Sequence, residues 1–125
     1  MTDDLYREII LEHYKHPINR GKIEDGIEAG EANMQCGDRL RISAKIEDGK
    51  VVDAKFEGGG CAVSMAAVDM LLEKIKGMDE AEVAKIKGSN IEEMLGVELT
   101  PARRKCAYLG LEVVKKLMKK GNNNT

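Results

Sequence analysis

At 125 residues the chain is long enough for one domain with its own core, so 1–125 is expected to be a single domain. With no Trp and one Phe, that core has to be aliphatic, and the balance of 42% hydrophobic to 34% charged residues is globular, not disordered. A net charge of −2 with both signs interspersed, an acidic start at Met1-Thr2-Asp3-Asp4 and the lack of a long apolar run argue against nucleic acid, a signal peptide and a membrane span, and so for the cytoplasm.

Thr2 or Asp3 can cap a first helix running to about His16, with Leu5, Ile9, Leu11 and Tyr14 near helical spacing and Pro17 and Gly21 as stop signals. Between Gly26 and Gly37 the periodicity is weak, compatible with a short edge strand. From Leu40 the pattern alternates, with Leu40, Ile42, Ala44 and Ile46 on one face and Arg39, Arg41, Ser43, Lys45 and Glu47 on the other. Asp48-Gly49 marks a turn into a second strand, where Val52, Ala54 and Phe56 alternate with Asp53, Lys55 and Glu57.

The register of this hairpin follows from burial. A plain two-residue turn would set Ile42 opposite Lys55, mixing apolar and charged side chains on one face. Pairing Ile42 with Phe56 requires an odd loop or a bulge near Lys50, eased by positive φ at Gly49.

After Gly58-Gly59-Gly60-Cys61, a helix from about Ala62 to Lys76 carries Met65, Val68, Leu72 and Ile75 along one stripe and ends at Gly77. A shorter helical segment, 79–87, precedes another that Ser89 or Asn90 can cap and Gly96 ends. Thr100-Pro101 opens the last helix, to about Lys120, with an apolar face through Cys106, Leu109, Val113 and Leu117, widened by Leu111, Val114 and Met118. Lys115, Lys116, Lys119 and Lys120 read as a solvated helix end complementing the macrodipole, and 121–125 as a frayed polar tail.

Three cysteines in a reducing compartment make a disulfide framework improbable and leave either inert buried thiols or a metal or catalytic site. Their positions favour the second reading. Cys36 precedes a strand in Asn33-Met34-Gln35-Cys36-Gly37-Asp38, Cys61 opens a helix behind three glycines, and Cys106 lies in the first turns of the last helix. A helix N-terminus favours the thiolate that ligation needs, and the glycines let backbone approach a bound ion or sulfide. Three thiols and the Asp38 carboxylate supply four donors, enough for a tetrahedral zinc or the terminal positions of a [2Fe-2S] cluster. The intervals match no zinc finger or ribbon, and His13 and His16 read as surface residues.

These segments also resemble a known family, the iron-sulfur cluster assembly scaffolds that include IscU, SufU and the N-terminal domain of NifU. The resemblance runs over nearly the whole chain. It comprises Leu11-Glu12-His13-Tyr14 with Pro17 and Asn19, Cys36-Gly37-Asp38, the Asp48-Gly49 hairpin with Val52-Asp53 and Phe56, Gly60-Cys61-Ala62-Val63-Ser64, and Arg104-Lys105-Cys106-Ala107-Tyr108-Leu109.

The resemblance implies an α+β fold, a small three-stranded antiparallel sheet with helices packed on one face, a long C-terminal helix and ligands gathered at an exposed end. It implies that a [2Fe-2S] cluster is assembled from iron and sulfur delivered by a cysteine desulfurase, then passed to apo iron-sulfur acceptor proteins. Cys36, Asp38, Cys61 and Cys106 are the implied ligands of the cluster. Cys106 is the implied sulfur acceptor, expected to be accessible, with Lys105 as an auxiliary group. A cluster-dependent homodimer is compatible with this reading. The alternative is a zinc-dependent sulfurtransferase with zinc on the same four residues; a purely structural zinc domain is a third.

Departures from the family pattern accompany the matches. Met34 stands where Pro is common, and Lys105 precedes Cys106 as in SufU-like members, where IscU-like members carry His. Val97-Glu98-Leu99-Thr100-Pro101 replaces a chaperone-binding Leu-Pro-Pro-Val-Lys, and the run from Gly77 to Gly96 leaves no room for the insertion typical of the zinc sulfurtransferases.

Overall fold

A computed structural model describes residues 3–33 and 37–123. The elements follow as α1 (Asp3–Lys15), β1 (Ile27–Asn33), β2 (Asp38–Glu47), β3 (Lys50–Gly59), α2 (Ala62–Ile75), α3 (Glu80–Ala84), α4 (Gly88–Leu95) and α5 (Pro101–Asn123). The strands form one antiparallel sheet in the order β1-β2-β3, and the helices cover one of its faces. This is the expected α+β architecture, with the weak segment before Gly37 forming the edge strand β1.

The alternation in β2 places Leu40, Ile42 and Ala44 inward and Arg39, Arg41 and Lys45 outward. Ile42 does pair with Phe56. The turn is two residues long, with positive φ at both Asp48 (52°) and Gly49 (76°), as hairpin turns that match strand twist require. Register is restored by a bulge: Lys45 faces Asp53 while Ile46 faces Val51, so Val52 is the extra residue. This corrects the expected inward alternation at Val52, which is 49% exposed, whereas Val51 is 1% exposed. Burial of Phe56 and Ala54 sets the parity beyond the bulge, and the residue next to the turn takes the core position instead.

Helices α2 and α5 pack on each other beneath the sheet, α5 across β1 and β2 and α2 against β3. The expected stripes are buried in one contiguous apolar cluster, with Met65, Val68, Leu72 and Ile75 from α2 and Leu109, Val113, Val114, Leu117 and Met118 from α5. Side chains of this size stabilise the fold by about 1.5–3 kcal/mol each when buried. At Gly110 the helices come close enough that an added Cβ would stand 3.1 Å from the Val68 side chain.

Helix α1 docks on α2 through a narrower contact than its sequence implies. Ile10 is buried, but Leu5, Leu11 and Tyr14 are exposed. A buried polar cluster completes the attachment. The Asp69 carboxylate in α2, 0% exposed, accepts hydrogen bonds from the Ile18 and Asn19 backbone N–H groups at 3.1 and 2.8 Å, and pairs with His13 Nδ1 at 2.6 Å. Asn19 Nδ2 donates to the Asp69 carbonyl, and Lys76 Nζ donates to Asn19 Oδ1. His13 is therefore half-buried and paired, not a surface residue; His16 is exposed.

The connection after α1 then runs along the outer edge of β3, where Phe56 N–H donates to the Asn19 carbonyl and Gly21 N–H to the Phe56 carbonyl. Farther on, Ile23 N–H donates to Ser43 Oγ, which explains why Ser43 is buried although it lies on the polar face. On the opposite edge, Lys116 pairs with Glu31 and Lys120 Nζ reaches the Glu28 carbonyl, so two of the lysines read as solvated tie α5 to β1. The hydrogen bond from Lys116, helped by the Ala32 N–H, holds the Glu31 carboxyl below the usual carboxylate range. The backbone of α5 stays helical to Asn123, beyond the expected end at Lys120.

Gly96 ends α4 in the left-handed region (φ 70°), its N–H donating to the Glu92 carbonyl. A Cβ there would stand 2.1 Å from the Tyr6 ring, which lies against the glycine. Gly96→Ala is therefore expected to lower stability by about 1–3 kcal/mol, from backbone strain plus displacement of Tyr6. In a Tyr6→Ala background the same substitution should cost only the strain, and urea unfolding of the four proteins in this cycle measures both parts.

Candidate metal centre

Three sequence segments meet at one end of the sheet. Asp38 is the first residue of β2 and points inward in step with Leu40 and Ile42; its side chain is fully buried. Cys61 is the N-cap of α2, following the glycines that end β3. Cys106 lies in the second turn of α5, on the stripe continued by Leu109 and Val113. One carboxylate oxygen of Asp38 and the Sγ atoms of Cys61 and Cys106 lie within 4.8 Å of one another. Among the described residues this is the one group of ligating side chains that converges in this way. Cys36, the fourth expected ligand, lies outside the described residues.

Asp38 is fixed by the polypeptide that carries Cys61. Its Oδ1 accepts the Cys61 N–H at 2.9 Å, so the carboxylate and the thiol-bearing loop hold each other in place. Gly60 makes this possible, because a Cβ at that position would stand 2.1 Å from Asp38 Oδ1 and 2.7 Å from its Cγ. Gly58 (φ 132°) serves the same approach one step earlier, with its missing Cβ 2.1 Å from the Arg39 carbonyl. Two of the three glycines thus have defined steric reasons.

Asp38 Oδ2 is buried without a hydrogen-bond partner among the described residues. Leaving a carboxylate oxygen unsatisfied in the interior costs several kcal/mol unless a cation or donor reaches it. This orphan oxygen in a cluster with two thiols fits a metal-bearing group: sulfur and carboxylate donors are those of zinc and of iron-sulfur sites. The spread of up to 4.8 Å exceeds the roughly 3.8 Å edge that about 2.3 Å zinc–sulfur bonds would produce, so a single ion would require a small contraction.

At the N-terminus of α2 the Ser64 N–H donates to Cys61 Sγ at 3.4 Å, the arrangement that stabilises negative charge on sulfur. Ser64 Oγ is buried and without a hydrogen-bond partner among the described residues, a second orphan polar atom beside the thiol. Only the first turn of a helix behind a glycine run hinted at it in the sequence.

The exposure of the ligands departs from expectation. Cys106 is 1% exposed, not accessible, because the stripe that carries it faces the core; Cys61 is half-buried. Lys105, the expected auxiliary group, is exposed and makes no ion pair or hydrogen bond among the described residues, since one residue along a helix turns the side chain about 100° away. His13 is committed to Asp69 and is not part of the centre.

An open hollow of about 930 Å³ is lined among others by Leu11 of α1, Val63 of α2, and Val97 and Leu99 ahead of α5, and by none of Asp38, Cys61 and Cys106. No helix among the described residues is long and apolar enough to cross a membrane.

Comparison with known proteins gives this arrangement a family. The model of the NifU-like N terminal domain matches residues 5–124. The zinc-dependent sulfurtransferase SufU of Bacillus subtilis is 39% identical, over 91% of this chain and 89% of that protein. The iron-sulfur cluster assembly scaffold protein IscU of Thermotoga maritima is 37% identical, over 93% and 94%. These matched regions run over 131 and 135 positions, longer than this chain, so both relatives contain residues with no counterpart here. The SufU structure from Fervidobacterium islandicum superposes with a TM-score of 0.76 at 28% identity, covering 94% of this chain and 99% of that one. With its candidate ligands set at β2, the start of α2 and α5 and its sequence matched almost from end to end, this chain belongs to the NifU-like N-terminal domain family.

Proposed function

We propose that the chain is a scaffold on which a [2Fe-2S] cluster is assembled from iron and desulfurase-derived sulfur, held by Cys36, Asp38, Cys61 and Cys106, and passed to apo-proteins. The cluster is cargo, and the chain itself is a carrier. The observation that carries this reading is the buried, half-satisfied Asp38 carboxylate within 4.8 Å of two thiols. A carboxylate is a harder donor than a thiolate and a weaker one towards iron in a sulfur-rich site, which makes Asp38 the natural point of exchange. The match to scaffold proteins named IscU supports the same reading.

A second reading rests on the similarity to a zinc-dependent sulfurtransferase, with donors that a small contraction would bring around a single ion. In that case zinc on the same residues orients a thiolate for sulfur acceptance from a cysteine desulfurase. Purification without oxygen separates the two. Visible absorption with stoichiometric iron and acid-labile sulfide is the expected result, whereas a colourless protein retaining one zinc, and unable to take up a cluster from iron and sulfide, would replace the scaffold reading with the sulfurtransferase one. Because the apolar core is built without the ligands, chelation is expected to leave a cooperative thermal transition; its loss would make the metal structural.

In either reading Cys106 is the proposed sulfur acceptor. Its thiolate attacks the outer sulfur of the desulfurase persulfide, forming a new persulfide on Cys106 and returning the desulfurase cysteine as thiolate. Burial of Cys106 imposes a condition on this step: the start of α5 has to open. The apo-protein should therefore be alkylated by iodoacetamide at Cys61 roughly tenfold or more faster than at Cys106, with the desulfurase narrowing that gap. Peptide mass spectrometry reads both rates and the position of the persulfide. Persulfide confined to Cys36 or Cys61 would remove Cys106 from the role.

A further inference from the structure

The sheet face that carries no helices has a chemical character of its own near the metal centre. A shallow groove of about 550 Å³ runs across it, lined by Gly30, Ala32, Arg39, Arg41, Glu57 and Gly58 among others. The register sets Ala32 on β1 and Gly59 on β3 opposite Arg39, so small residues flank it on both sides, whereas Arg41 has Gly30 on β1 and Glu57 on β3 opposite it.

The charge of this groove contrasts with the chain as a whole, which has a net charge of −2. Arg39 and Arg41 are exposed and their side chains form no ion pair or hydrogen bond among the described residues. Of the two carboxylates in the lining, Glu31 is occupied by Lys116, which leaves Glu57 alone facing the pair. A third guanidinium joins from the β3 edge: Arg20 Nη2 donates to the Gly58 carbonyl at 2.7 Å and lies 5.6 Å from the centre of the Phe56 ring. Arg20 thus holds the β3 edge beside the groove, at a residue two positions before the glycine that packs on the Asp38 carboxylate.

We propose that this arginine-lined sheet face docks an acidic surface of an apo iron-sulfur acceptor protein, bringing the acceptor's thiols to the end of the sheet where Asp38 and Cys61 lie. The inference rests on the scaffold reading for the identity of the partner as an acceptor. Charge complementarity selects the occupant: the groove offers the two guanidiniums of Arg39 and Arg41 to carboxylates, and an acceptor site assembling several thiolates is itself electronegative. Arginine suits the task because its planar fork binds carboxylates in pairs and is weakly hydrated. Such a contact acts mainly on encounter and orientation, and is sensitive to salt.

The test uses the apo chain, so it does not depend on cluster loading. An apo-ferredoxin with an acidic surface, fluorescently labelled, is titrated with wild type, R39E/R41E, and K115E/K119E, the last placing the same charge change on the lysine-rich end of α5. The expected result is at least a tenfold weaker dissociation constant and a flatter salt dependence for R39E/R41E, with K115E/K119E within about twofold of wild type. Equal binding by R39E/R41E, an equal loss in K115E/K119E, or no measurable binding by wild type would each overturn the proposal. Iron and sulfide uptake by R39E/R41E is expected to match wild type, so failure of docking and failure of the scaffold reading give different results.

Discussion

Asp38→Ala is expected to slow cluster transfer to an apo-ferredoxin by about tenfold or more, an increase of about 1.4 kcal/mol or more in the barrier, while the cluster outlives that of wild type in the absence of an acceptor. The substitution leaves the thiols of Cys61 and Cys106 in place and removes the oxygen donor that, on the proposed function, an incoming thiol displaces. It also removes the acceptor of the Cys61 N–H, so the helix-start loop loses one constraint. If release depends on the weak oxygen donor, its loss outweighs the loosened loop and transfer slows. Were the variant to shed its cluster quickly and transfer no more slowly, Asp38 would be an anchor and not an exchange point. Gly60→Ala, whose Cβ would strike the same carboxylate, distinguishes placement from chemistry: it should reduce cluster uptake with little loss of the apo fold.

Asp69→Ala should lower stability by about 3–5 kcal/mol, although Asp69 is no part of the metal centre. The carboxylate takes two backbone N–H groups from the Ile18–Asn19 turn and the His13 ring, all against a side chain with no solvent exposure. Alanine leaves the buried Asn19 N–H and the part-buried Ile18 N–H and His13 ring without their acceptor, and α1 then keeps chiefly Ile10 on α2 and the Tyr6 ring on Gly96 as apolar holds. Urea unfolding measures the loss. Hydrogen exchange in α1 and at Asn19 should rise before that in α2, because the break is local to the attachment. A change under about 1 kcal/mol would mean that water replaces the carboxylate without penalty and that the cluster is not what docks α1.

Much of the fold was legible because its determinants are local. The helical stripe from Met65 to Ile75, the alternation from Leu40 to Ala44, and the stops at Gly77 and Gly96 are read within a few residues of one another. The hairpin register was legible for a different reason. Two strands that share a buried face must agree in parity, so Ile42 opposite Phe56 and the need for a bulge followed from burial alone. Its place at Val52 did not, because competition between Val51 and Val52 for the core is settled by the helices beneath.

The ligand set was legible as residue types at segment junctions, and Asp38, Cys61 and Cys106 do come together. What the sequence by itself determined is therefore which side chains are candidates for the chemistry and which backbone elements carry them, since periodicity, capping and turn residues act over a few positions. The burial of Cys106 follows from its place on the apolar stripe of α5, whereas the tertiary structure alone decided that Asp38 has one oxygen satisfied and one orphaned and that His13 is bound to a carboxylate 56 residues away. Those properties depend on which surfaces meet when β2, α2 and α5 close on one another, and no local pattern encodes the neighbour a side chain acquires across such a distance.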